Sequence, residues 1–272
     1  MILPATLEKT PFETITQGPL SVRLAESPLE IETAQRLRYE IFCNEIGAKA
    51  SPEMKEAGRD FDIFDPLCDH LLVINQPEGE AAQIVGTYRL LLSERADQIG
   101  RFYTEGEYDI APLKKNGGRI MELGRSCVHR DFRIRPVMQL LWRGIGAYVN
   151  HHKVDLMFGC ASFPGADVET HRLGLAYLNH HHRAVPELCP RALPQHYVDM
   201  NLHPRETLSV KEGFHSLPPL LKGYLRLGGM IGDGAVLDYD YNTTDVCIVV
   251  KTDKIGDNYV AKFAPREPGP IG

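Results

Sequence analysis

The chain reads as an α/β protein: a mixed central sheet flanked by helices, with a C-terminal extension. Three observations lead there. Residues 118–163 run strand, basic loop, helix, strand, the order of a right-handed crossover between parallel strands. Residues 70–75 and 84–92 are apolar runs joined by the turn-rich Gln76-Pro77-Glu78-Gly79-Glu80, which predicts an antiparallel hairpin. Ser27-Pro28-Leu29-Glu30 is a helix start, with a hydroxyl cap, a proline at the first position and a carboxylate three residues after the cap.

Residues 1–20 are polar, hold three prolines, and are expected to form an extended arm. A first strand is predicted over 21–25, then a helix to about Phe42 carrying Ile31, Ala34, Leu37 and Ile41 at helical spacing. Residues 50–66 are polar and acidic without periodicity and read as a loop. Residues 101–116 are mixed, with a short helix near Glu105. In the crossover, Ile120, Leu123, Cys127 and Val128 mark the first strand. Pro136 suits the first helical position, and Val137, Leu140, Leu141, Ile145, Tyr148 and Val149 give that helix one apolar face. Residues 154–163 form the second strand, stopped by Pro164-Gly165. Helices are expected over 167–178 and 217–227, a proline-broken stretch over 185–194, and strand character over 236–251. One domain over residues 21–265 is the simplest organisation, with its extension from about 166 and a tail over 266–272.

The chain has 272 residues and a net charge of −6, which argues against nucleic acid as a partner. A local basic loop on an acidic protein points instead to a discrete anion. Arg130, Arg133 and Arg135 crowd the start of the crossover helix, where free N–H groups and the positive dipole end favour a phosphate. Six cysteines lie scattered without a C-x-x-C pair and read as small buried residues of a reducing compartment. No apolar run reaches the roughly 18 residues of a membrane span, and the N-terminus lacks a secretory pattern. A cytoplasmic protein is expected, with peripheral contact at the inner face of the membrane left open.

Strings along the chain carry a resemblance. LRYEIF (37–42), DIFDPLCDHLLV (62–73), GTYRLL (86–91) and ELGRSCVHRDFR (122–133) resemble the acetyltransferase (GNAT) superfamily, in particular the bacterial L-ornithine Nα-acyltransferases and, more distantly, the acyl-homoserine lactone synthases. SFPGADVETHRLGLAYLNHHHRA (162–184), LPPLLKGYLRLGG (217–229) and NTTDVCIVV (242–250) resemble the ornithine enzymes specifically. The resemblance implies a GNAT-like fold. It also implies transfer of a 3-hydroxyacyl group from an acyl carrier protein thioester to the α-amine of L-ornithine, giving lyso-ornithine lipid. The alternatives are an acyl-homoserine lactone synthase and a non-catalytic protein that binds acyl carriers. No bound cofactor is implied; the phosphopantetheine of the carrier, or acyl-coenzyme A, enters as co-substrate. The superfamily's pyrophosphate loop carries glycines, and residues 130–136 have none. Arginine side chains on the single phosphate of a carrier's pantetheine arm fit that loop better than a backbone cradle.

Thioester aminolysis needs a neutral amine, a proton acceptor, an oxyanion donor and alignment, but no covalent intermediate. Cys127 is therefore read as a packed residue rather than a nucleophile. Glu122 is the first choice for proton acceptor; the competing reading is an ion pair with Arg89 or Arg125. Backbone N–H groups around Cys127 and Val128 are the expected oxyanion donors. Asp62 and Asp65 are candidates for the ammonium of ornithine, and Arg89 or Arg125 for its carboxylate, with Arg38 in the same network. The alternative is a solvated acidic loop over structural arginines. His180-His181-His182 lacks the spacing of a metal site, and no metal is expected. The amphipathic segment at 217–227 is a core face, an acyl-tunnel wall or a membrane contact.

Overall fold

The structure, a computed structural model, describes residues 13–115 and 118–253. Residues 1–12 of the expected arm and the expected tail over 266–272 lie outside the described residues. The strands are β1 (Ile15–Gln17), β2 (Leu20–Leu24), β3 (Asp69–Asn75), β4 (Gln83–Leu92), β5 (Tyr108–Asp109), β6 (Ile120–Val128), β7 (Leu156–Pro164), β8 (Arg191–Ala192), β9 (Met230–Asp238) and β10 (Thr243–Lys251). The helices are α1 (Pro28–Tyr39), α2 (Pro52–Ala57), α3 (Ser93–Ala96), α4 (Ala111–Lys115), α5 (Arg135–His152), α6 (Arg172–His181), α7 (Val210–Ser216) and α8 (Pro219–Arg226).

The strands order as β1-β2-β3-β4-β6-β7-β10-β9-β8-β5. The expected hairpin is β3–β4, antiparallel with Leu71 opposite Tyr88. The crossover runs β6–α5–β7 and makes β6 and β7 parallel neighbours. Alternation along these strands divides the core. Met121, Leu123 and Met157 pack with α5 and α8 on one face, while Ile120, Leu156 and Phe158 pack with Phe64, Phe102 and Leu113 on the other.

Several expectations are revised. Residues 15–17 of the arm form β1, paired with β2. Part of the 50–66 loop is helical: Ser51 caps α2 by accepting from Met54 N–H at 3.2 Å, and Gly58 ends it with φ 59°. That helix is too short to show a period. Pro136 occupies the second position of α5, because Arg135 already has helical geometry. Strand character over 236–251 resolves into two antiparallel strands, β9 and β10, turning at Tyr239–Asn242.

Two features shape the middle of the sheet. First, β6 and β7 pair only through Ile120–Leu156, Met121–Met157 and Glu122–Phe158, and beyond that point they part. Gly159 sits at the fork, where a Cβ would lie 2.2 Å from Leu123 O. Only glycine lets the two backbones come that close before diverging. Second, β6 bulges against β4. Thr87 opposes Cys127 and Arg89 opposes Gly124, so Arg125 and Ser126 together face Tyr88. Arg125 takes φ +49° to absorb the extra residue.

The acidic loop is fixed by arginines. Arg38 is fully buried; its Nε donates to Asp60 Oδ2 and its Nη1 to Asp65 Oδ1, both at 2.6 Å. Arg89 Nη1 donates to Asp62 Oδ1 at 2.6 Å and to Asp65 Oδ2 at 3.3 Å, and Arg125 Nη2 donates to Asp62 Oδ2 at 3.3 Å. Three guanidinium groups thus meet three carboxylates. The Arg38 and Arg89 charges hold Asp65 well below the usual carboxylate range, overcoming its burial.

Gly159→Ala is expected to lower stability by about 1–3 kcal/mol, the range for forcing an atom into a packed site, measured by urea denaturation. Arg38→Met leaves Asp60 and Asp65 buried without their main cation and should cost roughly 3–5 kcal/mol. An unchanged denaturation midpoint for Arg38→Met would show that the loop is held by something else.

Candidate active site

Parting of β6 from β7 leaves backbone groups of β6 without a strand partner. His129 N–H donates to Val85 O at 2.8 Å, so His129–Val85 is a hydrogen-bonded position of the antiparallel β4–β6 ladder. Val128, opposite Gly86, is then a non-hydrogen-bonded position, and its N–H and C=O point away from β4 toward the gap. Arg133 Nε donates to the Val128 carbonyl at 3.2 Å. The Val128 side chain is buried, and the residue stands beyond the β6 residues that line the cavity.

The gap opens into a cavity of about 240 Å³. Leu123, Gly124 and Ser126 line it from one arm of the fork, and Cys160, Ala161 and Ser162 from the other. A second, more open pocket of about 950 Å³ shares Tyr103, Arg125, Asp238 and Tyr241 with the first. Arg125 is clamped between two rings, its guanidinium 4.7 Å from the centre of Tyr103 and 4.5 Å from that of Tyr241.

Glu122 lines the cavity and is 4% exposed. Its carboxylate accepts from Tyr103 N–H at 2.9 Å, Thr104 N–H at 2.6 Å and Thr104 Oγ1 at 2.5 Å. Burial pushes its pKa up, and those three bonds, with Arg89 behind them, pull it partly back. No ion pair within 4.0 Å joins it to Arg89 or Arg125; Glu122 instead anchors the turn at Tyr103–Thr104. Burial pushes the Cys127 thiol up to about 12, which keeps it protonated and inert.

The remaining sequence candidates fall into two groups. Arg89 and Arg125 line the cavity, and Asp62 lines the outer pocket. Arg38 and Asp65 reach neither: both are buried and bonded to each other, Arg38 also to Asp60 and Asp65 also to Arg89, so they shape the loop rather than meet a ligand. Of the basic loop, Arg130 and Arg135 are exposed, whereas Arg133 is tied to Glu45 by bonds of 2.5 and 2.8 Å. In the histidine run, His180 Nε2 contacts His203 O and His182 Nε2 contacts the Tyr177 hydroxyl.

Sequence reading missed a second set of acids. Glu107, Asp238 and Asp245 place one oxygen each within 4.8 Å of one another. Asp238 and Asp245 line the cavity. The signal was there in NTTDVCIVV, where Asp245 is a lone charge in an apolar strand; Glu107 and Asp238 gave none, because only the fold brings them beside it.

Residues 37–143 match the acetyltransferase (GNAT) domain family. The chain is 46% identical over 250 residues to an L-ornithine N(alpha)-acyltransferase of Brucella abortus, covering 90% of this chain and 89% of that one. It is 43% identical over 257 residues to the Rhodobacter capsulatus protein of the same name, covering 93% and 98%. The solved structure of FeeM, an N-acyl amino acid synthase from uncultured soil microbes, is 10% identical with a TM-score of 0.47, covering 86% and 91%. With a GNAT fold and relatives at this identity over nearly its whole length, the chain is an N-acyltransferase and belongs to the L-ornithine N(alpha)-acyltransferase family.

Proposed function

We propose that this enzyme moves a 3-hydroxyacyl group from an acyl carrier protein thioester to the α-amine of L-ornithine, giving lyso-ornithine lipid. The observation that carries this reading is the fork between β6 and β7, with the Val128 N–H turned into the gap. A pantetheine arm laid there takes the place of a missing strand and presents its thioester carbonyl to that N–H. The neutral α-amine attacks the carbonyl carbon, a C–N bond forms, and the oxygen becomes an oxyanion held by the Val128 amide. The C–S bond then breaks and the pantetheine thiol leaves. Glu122, at the far end of β6 from Val128, accepts the amine proton through a chain of waters along the cavity, a role suited to a buried carboxylate with a raised pKa on the cavity wall.

At the outer end, exposed Arg130 and Arg135 flank the start of α5 and supply the charge for the phosphate or for the acidic surface of the carrier protein. Arg133 is held by Glu45 and orients the Val128 carbonyl. The glycine-free loop favours a carrier protein over coenzyme A as donor. Among the described residues, no helix is long and apolar enough to cross a membrane. Peripheral contact through α8, whose Leu220 lines the cavity, would let the acyl product pass toward lipid.

Purified enzyme given a 3-hydroxyacyl carrier protein and ornithine should yield the N-acyl product by mass spectrometry, and much less with the matching coenzyme A thioester. Turnover with S-adenosylmethionine but not ornithine would replace this reading. Glu122→Gln should lower kcat by roughly 10²–10⁴, the usual worth of a positioned base, while carrier binding persists. In the wild type, kcat should fall with decreasing pH as Glu122 takes up its proton. A full kcat for Glu122→Gln would leave that side chain as a turn anchor alone.

A further inference from the structure

Two acidic groups flank the cavity, and only one is neutralised by the protein. Asp60, Asp62 and Asp65 meet Arg38, Arg89 and Arg125. Glu107, Asp238 and Asp245 form no ion pair within 4.0 Å with any described lysine or arginine. Glu107 Oε2 accepts only a thiol, from Cys160 Sγ at 3.2 Å. Asp238 Oδ1 accepts the N–H groups of Asp240 and Tyr241, at 2.8 and 2.9 Å, within its own turn. Asp245 is 5% exposed and Thr243 is 7% exposed; Asp245 Oδ1 and Thr243 Oγ1 both lack a well-formed hydrogen bond to the protein. Buried polar atoms left in that state cost stability unless a ligand meets them.

We propose that Glu107, Asp238 and Asp245, with Thr243, form the subsite for a primary ammonium group on the side chain of the acceptor amino acid. This rests on reading the chain as an enzyme that acylates an amino acid. Three carboxylate oxygens less than 5 Å apart match the three N–H donors of an ammonium, and a buried setting strengthens each bond. Location agrees: Asp238 and Asp245 line the cavity, and Glu107 and Asp238 line the outer pocket, so the trio stands where the two meet. Arg125 lines both spaces; its Nε lies 3.4 Å from Asp60 Oδ2 and its Nη2 3.3 Å from Asp62 Oδ2, and it stands beside the trio as the positive charge for the acceptor's carboxylate. Asp62 and Asp65, the acids first considered for the ammonium, are already spoken for by arginine.

The protonation of Glu107 and Asp245 follows from the same crowding. Burial, then Asp245, hold Glu107 up at about 7; burial, helped by Asp238, holds Asp245 up at about 6. Arg125, Tyr103, Cys160, Tyr108 and Cys247 are the other titratable or charged groups facing them, with Ser162 and Thr243 favouring the charged form of Asp245. Because both folded-state values are raised, these acids weigh against the fold in full above pH 6–7, and the penalty falls away only as the pH drops to their unfolded values near 4.

The test compares ornithine with norvaline, which has the same carbon chain and no side-chain ammonium. The wild type should favour ornithine in kcat/KM by roughly 10³ or more, as sites built around a buried polar partner do. Asp245→Asn, Glu107→Gln and Asp238→Asn should each shrink that preference at least about tenfold. The last two residues are half-buried, so they serve if Asp245→Asn fails to fold. In acceptor-free protein, Asp245→Asn should raise the melting temperature most at pH 8 and progressively less as the pH is lowered toward 4. Equal use of norvaline by the wild type would sink the ornithine reading itself. A strong wild-type preference that survives in all three variants would sink the subsite alone. So would activity abolished by EDTA and restored by a divalent ion, which would make the trio a metal site.

Discussion

Everything in this protein turns on one short contact, the approach of Gly159 to the carbonyl of Leu123 where β6 and β7 stop pairing. Three residue pairs hold the strands together below that point. Above it they diverge while each keeps its other neighbour, β4 on one side and β10 on the other. A sheet that splits in its interior exposes N–H and C=O groups that water or an extended ligand must satisfy. The bulge at Arg125 and Ser126 adds a bend at the same level and turns a guanidinium between the rings of Tyr103 and Tyr241. Shape, open backbone and fixed charge thus arise from one local departure from regular pairing.

Charge is distributed with a clear division of labour. The arginine–aspartate network around Arg38 is buried and complete, so it closes the acidic loop over β4 without drawing on a ligand. The Glu107–Asp238–Asp245 group is incomplete and faces the cavity. Two sets of three carboxylates, similar in composition, therefore have opposite meanings, and the arginines alone make the difference.

Much of the fold was legible because it is built from local pattern. The Ser27 cap, the hairpin flanking Gln76–Glu80 and the apolar face of α5 each declare themselves within a dozen residues or so. The resemblance strings extended that reading to the family. What stayed hidden depends on register or on distance. The bulge needs one strand counted against another, and nothing in ELGRS says that Arg125 adopts a positive φ. Loop residues 60–65 looked available because their partners Arg38 and Arg89 are up to 27 positions away. Asp245 was visible as an odd charge in an apolar strand, but its companions lie on other elements.

Strand order also bears on how the chain matures. β10 is the last described strand, yet it sits inside the sheet between β7 and β9. The fork's second arm is therefore backed only when the C-terminal hairpin docks, through pairings of long sequence separation that form slowly. A nascent chain halted after α6 would present an unpaired β7 edge to other polypeptides, with the hazard of sticking that bare edges carry. Catalytic competence and protection from such mispairing arrive in the same late step.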